Sequence, residues 1–126
     1  MRAVDTNVLV RLITRDQPKQ VAAAEAFVAK SAWVSLLALA ETTWVLAAVY
    51  DRRPEDIAIA IEMLLAHQHL TLQDPDVASA ALAHFRKKPT LGFSGCLLLE
   101  IARKAGHLPL GTFDRDLGRL PGIERI

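Results

Sequence analysis

Short apolar runs that alternate with stretches of helical period are the feature that most limits how this chain can fold. Met1 to Asp5, Ala32-Trp33-Val34, His69 to Gln73, a run from His107 to Asp114, and Ile123 to Ile126 read as brief strands. Between them lie helix signals. Val8, Leu9, Leu12 and Ile13 follow the first run at helical spacing, and Pro18 opens a second helix that should stop near Lys30, with Val21, Ala24, Phe27 and Val28 on one face. Ser35 is placed to cap a helix from Leu36 to Tyr50. Pro54-Glu55-Asp56 opens another, ending near Ala66, with Ile57, Ile61, Leu64 and Leu65 facing the core. Asp74-Pro75-Asp76 opens a helix through Phe85 that the basic run Arg86-Lys87-Lys88 and Pro89 close. A last long helix spans Phe93 to Ala105, with Ser94 as cap, Gly106 as stop and Leu97, Leu98 and Ile101 on its core face. Strands and helices in alternation predict an α/β fold with a parallel sheet and helices on both faces.

At 126 residues the chain has the length of one domain, residues 1–126, with one core. Fifteen Lys and Arg against fourteen Asp and Glu leave a formal charge of +1, which argues against a strong non-specific polyanion binder but leaves local patches open. Counting Gly in place of Tyr to match the usual tally raises the apolar share to about 56%, above the typical 45–50%. That excess points to a face covered by a partner. The single cysteine, Cys96, excludes an internal disulfide and fits a reducing compartment. No uncharged run is long enough for a membrane span, and Asp5 and Arg11 interrupt the first apolar stretch where a secretory signal would need continuity. The expectation is a cytoplasmic protein with no membrane partner.

The carboxylates carry the chemistry. Asp5 and Asp114 each follow a predicted strand, and Glu41 lies early in a helix that follows one, so a parallel sheet would bring all three to one edge. Glu41 is the only charge between Leu36 and Tyr50, and its helical neighbours are Leu37, Trp44, Val45 and Ala48. A carboxylate on so apolar a face is costly unless a cation or donors meet it. The alternative is that Glu41 lies on the Thr42/Thr43 side and reaches solvent. Carboxylates drawn together raise one another's pKa unless a divalent ion neutralises them, and hard oxygen donors suit Mg²⁺ or Mn²⁺. The reading is an acidic metal pocket, against the alternative that Asp5 and Asp114 merely cap helices. Glu100, with Arg103 and Lys104 three and four residues on, reads as a solvated helix-face pair.

The segments VDTNVLVR, ALAETTWVL, GFSGCLLLEIARKAG and LGTFDRDLGRLPG resemble the successive motifs of the PIN-domain nucleases, closest to the VapC toxins of bacterial toxin–antitoxin pairs. The resemblance spans nearly the whole chain. It implies a three-layer α/β/α domain with a central, mainly parallel, about five-stranded sheet, and an acidic cluster holding Mg²⁺, or Mn²⁺, for endonucleolytic RNA cleavage. Asp5, Glu41 and Asp114 match the family's first, second and fourth carboxylates, with Asp116 often also acidic, and Thr6, Asn7 and Thr112 match its supporting polar positions. Gly95 stands where the family usually writes a metal-binding Asp. The nearest substitute, Glu100, lies about 140° further round a helix.

The resemblance further implies a VapB-like antitoxin as partner, RNA as substrate, and a homodimer within a larger toxin–antitoxin assembly. Arg11, Arg15, Lys87, Lys88 and Arg115 are available for phosphate contacts. The few aromatic residues sit mostly in apolar runs, so no base-stacking platform is visible. His67 and His69 lack companions for a zinc site, His84 and His107 read as surface or helix-end residues, and Cys96 reads as packing. Two competing functions stand beside the ribonuclease: a catalytically silent PIN domain that binds antitoxin or RNA, favoured by Gly95, and a phosphatase-type nucleophile at Asp5, disfavoured by the lack of a partner Lys and second acid pair.

Overall fold

A computed structural model describes all 126 residues, which divide into two compact units, Met1–Pro75 and Asp76–Ile126. The first unit holds β1 (Arg2–Ala3), α1 (Thr6–Thr14), α2 (Pro18–Val28), β2 (Ala32–Val34), α3 (Leu36–Ala48), α4 (Pro54–Ala66) and β3 (Leu70–Leu72). Its strands form one parallel sheet in the order β1-β2-β3, with Ala3 opposite Trp33 and Val34 opposite Leu72. The ladder continues past the strand ends through Val4 N–H to the Trp33 carbonyl at 3.1 Å and Gln73 N–H to the Val34 carbonyl at 2.8 Å. Parallel neighbours need a crossover between them, and the helices supply it.

The core of this unit is aliphatic. Leu9, Leu39, Leu46, Ile61 and Leu64 are almost wholly removed from solvent, each contributing roughly 1.5–3 kcal/mol by burial. Thr42 and Thr43 are buried as well, and each hydroxyl donates back to its own helix, to the Ala38 carbonyl at 2.7 Å and the Ala40 carbonyl at 2.8 Å. The opposite face of α3 carries Leu37, Glu41 and Trp44, all exposed. Glu41 therefore stands on the face of Leu37 and Trp44, as its helical neighbours predict, and not on the Thr42/Thr43 side, but that face is open to solvent rather than packed. Helix α3 also ends two residues before the expected Tyr50. The Tyr50 hydroxyl leaves the helix line to accept from Arg11 and donate to Asp16, each at 2.9 Å, and Asp51 turns into the left-handed region at φ 53°.

The second unit contains nearly all of α5 (Pro75–Lys87), then α6 (Phe93–Ala105), β4 (Leu110–Thr112), a 3₁₀ turn at Leu117–Arg119 and β5 (Ile123–Arg125). Strands β4 and β5 pair in parallel, Thr112 opposite Arg125. Six α-helices and parallel strands fit the expected three-layer α/β/α class, while the five strands form ladders of three and two rather than one five-stranded sheet. The strand-like runs are readable locally; which runs exchange hydrogen bonds depends on long-range register.

Helix α6 runs over the expected residues but with a different buried face. Phe93, Cys96, Leu97 and Glu100 follow one stripe into the interior, leaving Leu98 58% and Ile101 41% exposed. Three consecutive leucines permit either phase, and the stripe through Phe93 prevails, with its ring edge-on to Phe85 at 6.1 Å. Ser94 is not the cap. Gly92, at φ 74°, a value that L side chains rarely adopt, starts the helix, and Gly106 at φ 83° ends it.

Candidate functional site

Residues Val4 to Asn7 leave the sheet and enter α1 beside the start of α3, because β1 and β2 are parallel neighbours and each is followed at once by a helix. Asp5 is extended at φ −93°, and its Oδ1 accepts from Val8 N–H at 3.2 Å, which makes it the N-cap of α1. Ser35 does the same for α3, accepting from Ala38 N–H at 3.0 Å. From the next turn of α3, Glu41 reaches across, and its Oε2 accepts from the Thr6 hydroxyl at 3.4 Å. Asp5, Thr6, Asn7, Ser35, Leu37 and Glu41 line one open groove of about 480 Å³. Capping and site-building are thus compatible for Asp5, whose carboxylate keeps acceptor capacity toward the groove.

Two carboxylates with a hydroxyl and an amide beside them make an all-oxygen donor set. Mg²⁺ is ordinarily held by one or two carboxylates and retains several waters, so the residues fit such an ion. In neither unit do three or more His, Cys, Asp and Glu side chains gather as a ready metal cage.

The remaining expected residues lie in the second unit. Asp114 caps the 3₁₀ turn: its Oδ1 accepts from Asp116 N–H at 2.8 Å and Leu117 N–H at 2.9 Å, while Thr112 Oγ1 accepts from Asp114 N–H at 3.0 Å. Asp116 pairs with Lys88 at 3.2 Å. A side chain added at Gly95 would meet the Leu117 methyls at 3.5 and 3.6 Å, an ordinary contact, and so would grow toward the turn that Asp114 holds.

Several basic and acidic residues have duties other than those expected. Arg11 is not a free phosphate ligand. It donates to Gln20, Tyr50 and Asp16, tying α1 to the turn before α2, to α2 itself and to the segment after α3, and Arg15 pairs with Glu25 at 2.7 Å. Hydrogen bonds from Thr14 and Tyr50, helped by Arg11, hold the Asp16 carboxyl below its usual range. Glu100 is buried rather than solvated, accepting from Arg103 and lying 3.0 Å from His84 Nε2. Lys104 grips both oxygens of Asp76, at 3.0 and 3.1 Å, and lowers that carboxyl's pKa. Burial, reinforced by the Glu100 charge, pushes the Cys96 thiol up to about 11, which makes it an inert packing group.

Two aromatic side chains that the sequence reading left in apolar runs are in fact at the surface. Trp44 is 67% exposed one turn beyond Glu41, and Phe113 is 80% exposed immediately before Asp114. Alternation within the strand could have flagged Phe113, since it follows β4 at a position where the chain is already leaving the sheet.

The family model described as PIN domain matches residues 2–123. Neither the curated proteins nor the solved structures compared with the chain give a significant match.

Proposed function

The chain belongs to the PIN-domain family, and on that premise we propose that it is a VapC-type toxin, a metal-dependent endoribonuclease neutralised by a VapB-like antitoxin. The observation that carries the reading is the groove in which Thr6 links the first two acidic motifs, Asp5 and Glu41. Asp5 and Glu41 would hold Mg²⁺ or Mn²⁺, Asp114 and Asp116 match further carboxylates of the family's acidic set, and the proposal takes residues 1–126 as a single PIN domain. When bound, the ion supplies a water of lowered pKa and neutralises charge on the scissile phosphate.

The chain's own residues orient that chemistry. A long hydrogen bond from Thr6, at 3.4 Å, biases the exposed Glu41 carboxylate toward the groove. The backbone N–H groups at the start of α1 favour the negative charge of Asp5 and of an approaching phosphate. Asn7 and Thr112 add hydrogen-bonding groups beside the two acids. The exposed apolar side chains Leu37, Trp44 and Val49 on and after α3, with Ile59 and Met63 on α4, support a face covered by antitoxin or by a second copy of the chain. No helix is long and apolar enough to cross a membrane, and a cytoplasmic location is part of the same proposal.

The test is RNA cleavage by the purified chain in Mg²⁺ and in EDTA, beside Asp5→Asn and Glu41→Gln. Asparagine caps a helix as well as aspartate does, so the first variant should stay folded while cleavage drops by at least about a hundredfold, the upper range for disturbing a metal site. Cleavage indifferent to EDTA and to both substitutions would overturn the reading. Gly95 favours one second reading: RNA or antitoxin binding without any Mg²⁺-dependent cleavage would mark a catalytically silent PIN module.

A further inference from the structure

We infer that Phe113 is a stacking platform for an unpaired base of the RNA substrate, an inference that rests on the nuclease reading above and assigns a residue to substrate positioning. The phenylalanine is 80% exposed, so most of its ring stays in water and adds little to folding. Exposure alone would fit a mobile surface residue, but the backbone on both sides is held in place. On one side, Ile126 N–H donates to the Thr112 carbonyl at 2.8 Å. On the other, Asp114 N–H donates to the Thr112 hydroxyl at 3.0 Å, and the Asp114 carboxylate accepts from two backbone N–H groups at 2.8 and 2.9 Å. The Asp114 carbonyl accepts a further bond from Gly118 N–H at 3.0 Å. The turn therefore presents the ring to solvent in a fixed place.

What such a ring meets follows from its surroundings. A protein hot spot needs apolar neighbours that keep water out, whereas Phe113 is flanked in sequence by Thr112, Asp114, exposed Arg115 and Asp116. These four add no large apolar side chain to the ring, which alone is too little for the apolar centre of a stable protein interface. An exposed aromatic face with a cation nearby in the chain is instead the combination that takes single-stranded nucleic acid, the base stacking on the ring and a phosphate within reach of the exposed Arg115. Duplex RNA, whose bases are stacked on one another, has no free face to offer.

The experiment measures binding of a fluorescein-labelled single-stranded RNA decamer, and of the blunt duplex it forms with its complement, to the full chain in EDTA, for the wild type, Phe113→Ala and Phe113→Tyr. Phe113→Ala should weaken single-strand binding by about five- to 150-fold, leave duplex binding unchanged, and raise KM with little change in kcat where cleavage is measured. Phe113→Tyr should restore wild-type affinity, which a merely structural role would not require, and matching thermal melts confirm that the variants fold. A wild-type chain that binds or cleaves RNA with Phe113→Ala indistinguishable from it overturns the stacking role and leaves the nuclease reading standing. A wild-type chain that neither binds nor cleaves RNA overturns both. Loss of self-association in Phe113→Ala with unchanged RNA affinity also overturns it, by placing the ring in a protein interface.

Discussion

Replacing Gly95 separates a backbone effect from a metal effect at one position. Gly95 is the third residue of α6 and has no positive φ, so alanine there should stabilise the chain by roughly 0.5–1 kcal/mol through the smaller backbone entropy lost on folding. The space allows it. The new Cβ would meet only the Leu117 methyls at 3.5 and 3.6 Å, so no neighbour needs to move. Aspartate at this half-buried position adds a negative charge in the first turn of a helix, worth a further 0.3–1 kcal/mol or so. At roughly 3–5 °C per kcal/mol for a chain of this size, the alanine variant should melt about 2–5 °C above the wild type in EDTA.

The metal arm uses the same melts in Mg²⁺. If position 95 belongs to the metal centre, Gly95→Asp gains a further stabilisation of about 1.4 kcal/mol at a tenfold excess of Mg²⁺ over its Kd, and Gly95→Ala gains no more than the wild type. RNA cleavage by Gly95→Asp should rise at least about tenfold. A lower melting temperature for Gly95→Ala would show that the Leu117 contact is not as loose as its distances imply. A Gly95→Asp variant that responds to Mg²⁺ no more than Gly95→Ala would refute the assignment of this position to the metal site.

Two further outcomes follow from the interior of the second unit. Glu100→Ala should cost about 1–3 kcal/mol in chemical denaturation, below the 3–5 kcal/mol of a fully buried pair because His84 and Arg103 remain 26% and 44% exposed; an unchanged midpoint would mean that the pair contributes nothing. For Cys96, with its thiol raised from 9.0 to about 11, both folded and unfolded states hold the proton below pH 9. Between about pH 9 and 11 the unfolded chain ionises first, so stability should fall with rising pH by up to about 2–3 kcal/mol, and Cys96→Ala should flatten that part of the profile in urea melts followed against pH.

Local signals were enough for most element boundaries. Ala32–Val34, Pro54–Ala66 and Phe93–Ala105 appear where the prolines, the caps and the apolar period place them, because each is specified within a few residues of chain. The caps at Asp5 and Ser35 were equally legible, since a short polar side chain before an apolar run has few other uses. Burial phase was less so. Leu97-Leu98-Leu99 satisfies more than one helical stripe, and buried Glu100 meets a partner, His84, that is sixteen positions away in sequence. The same limit hid Phe113, because an aromatic residue after a strand looks like core until the turn around it is seen.

What the sequence by itself determined is therefore the order of strands and helices, and it nominated the carboxylates proposed for the site; both rest on short-range periodicity and side-chain chemistry. Only the tertiary structure decided that Glu41 stands on the exposed side of α3 within reach of Thr6, that Lys104 reaches Asp76 and Glu100 reaches His84, and that five strands pair as three and two. Those outcomes turn on hydrogen bonds and ion pairs between segments far apart along the chain, and their partners are chosen by packing rather than by spacing.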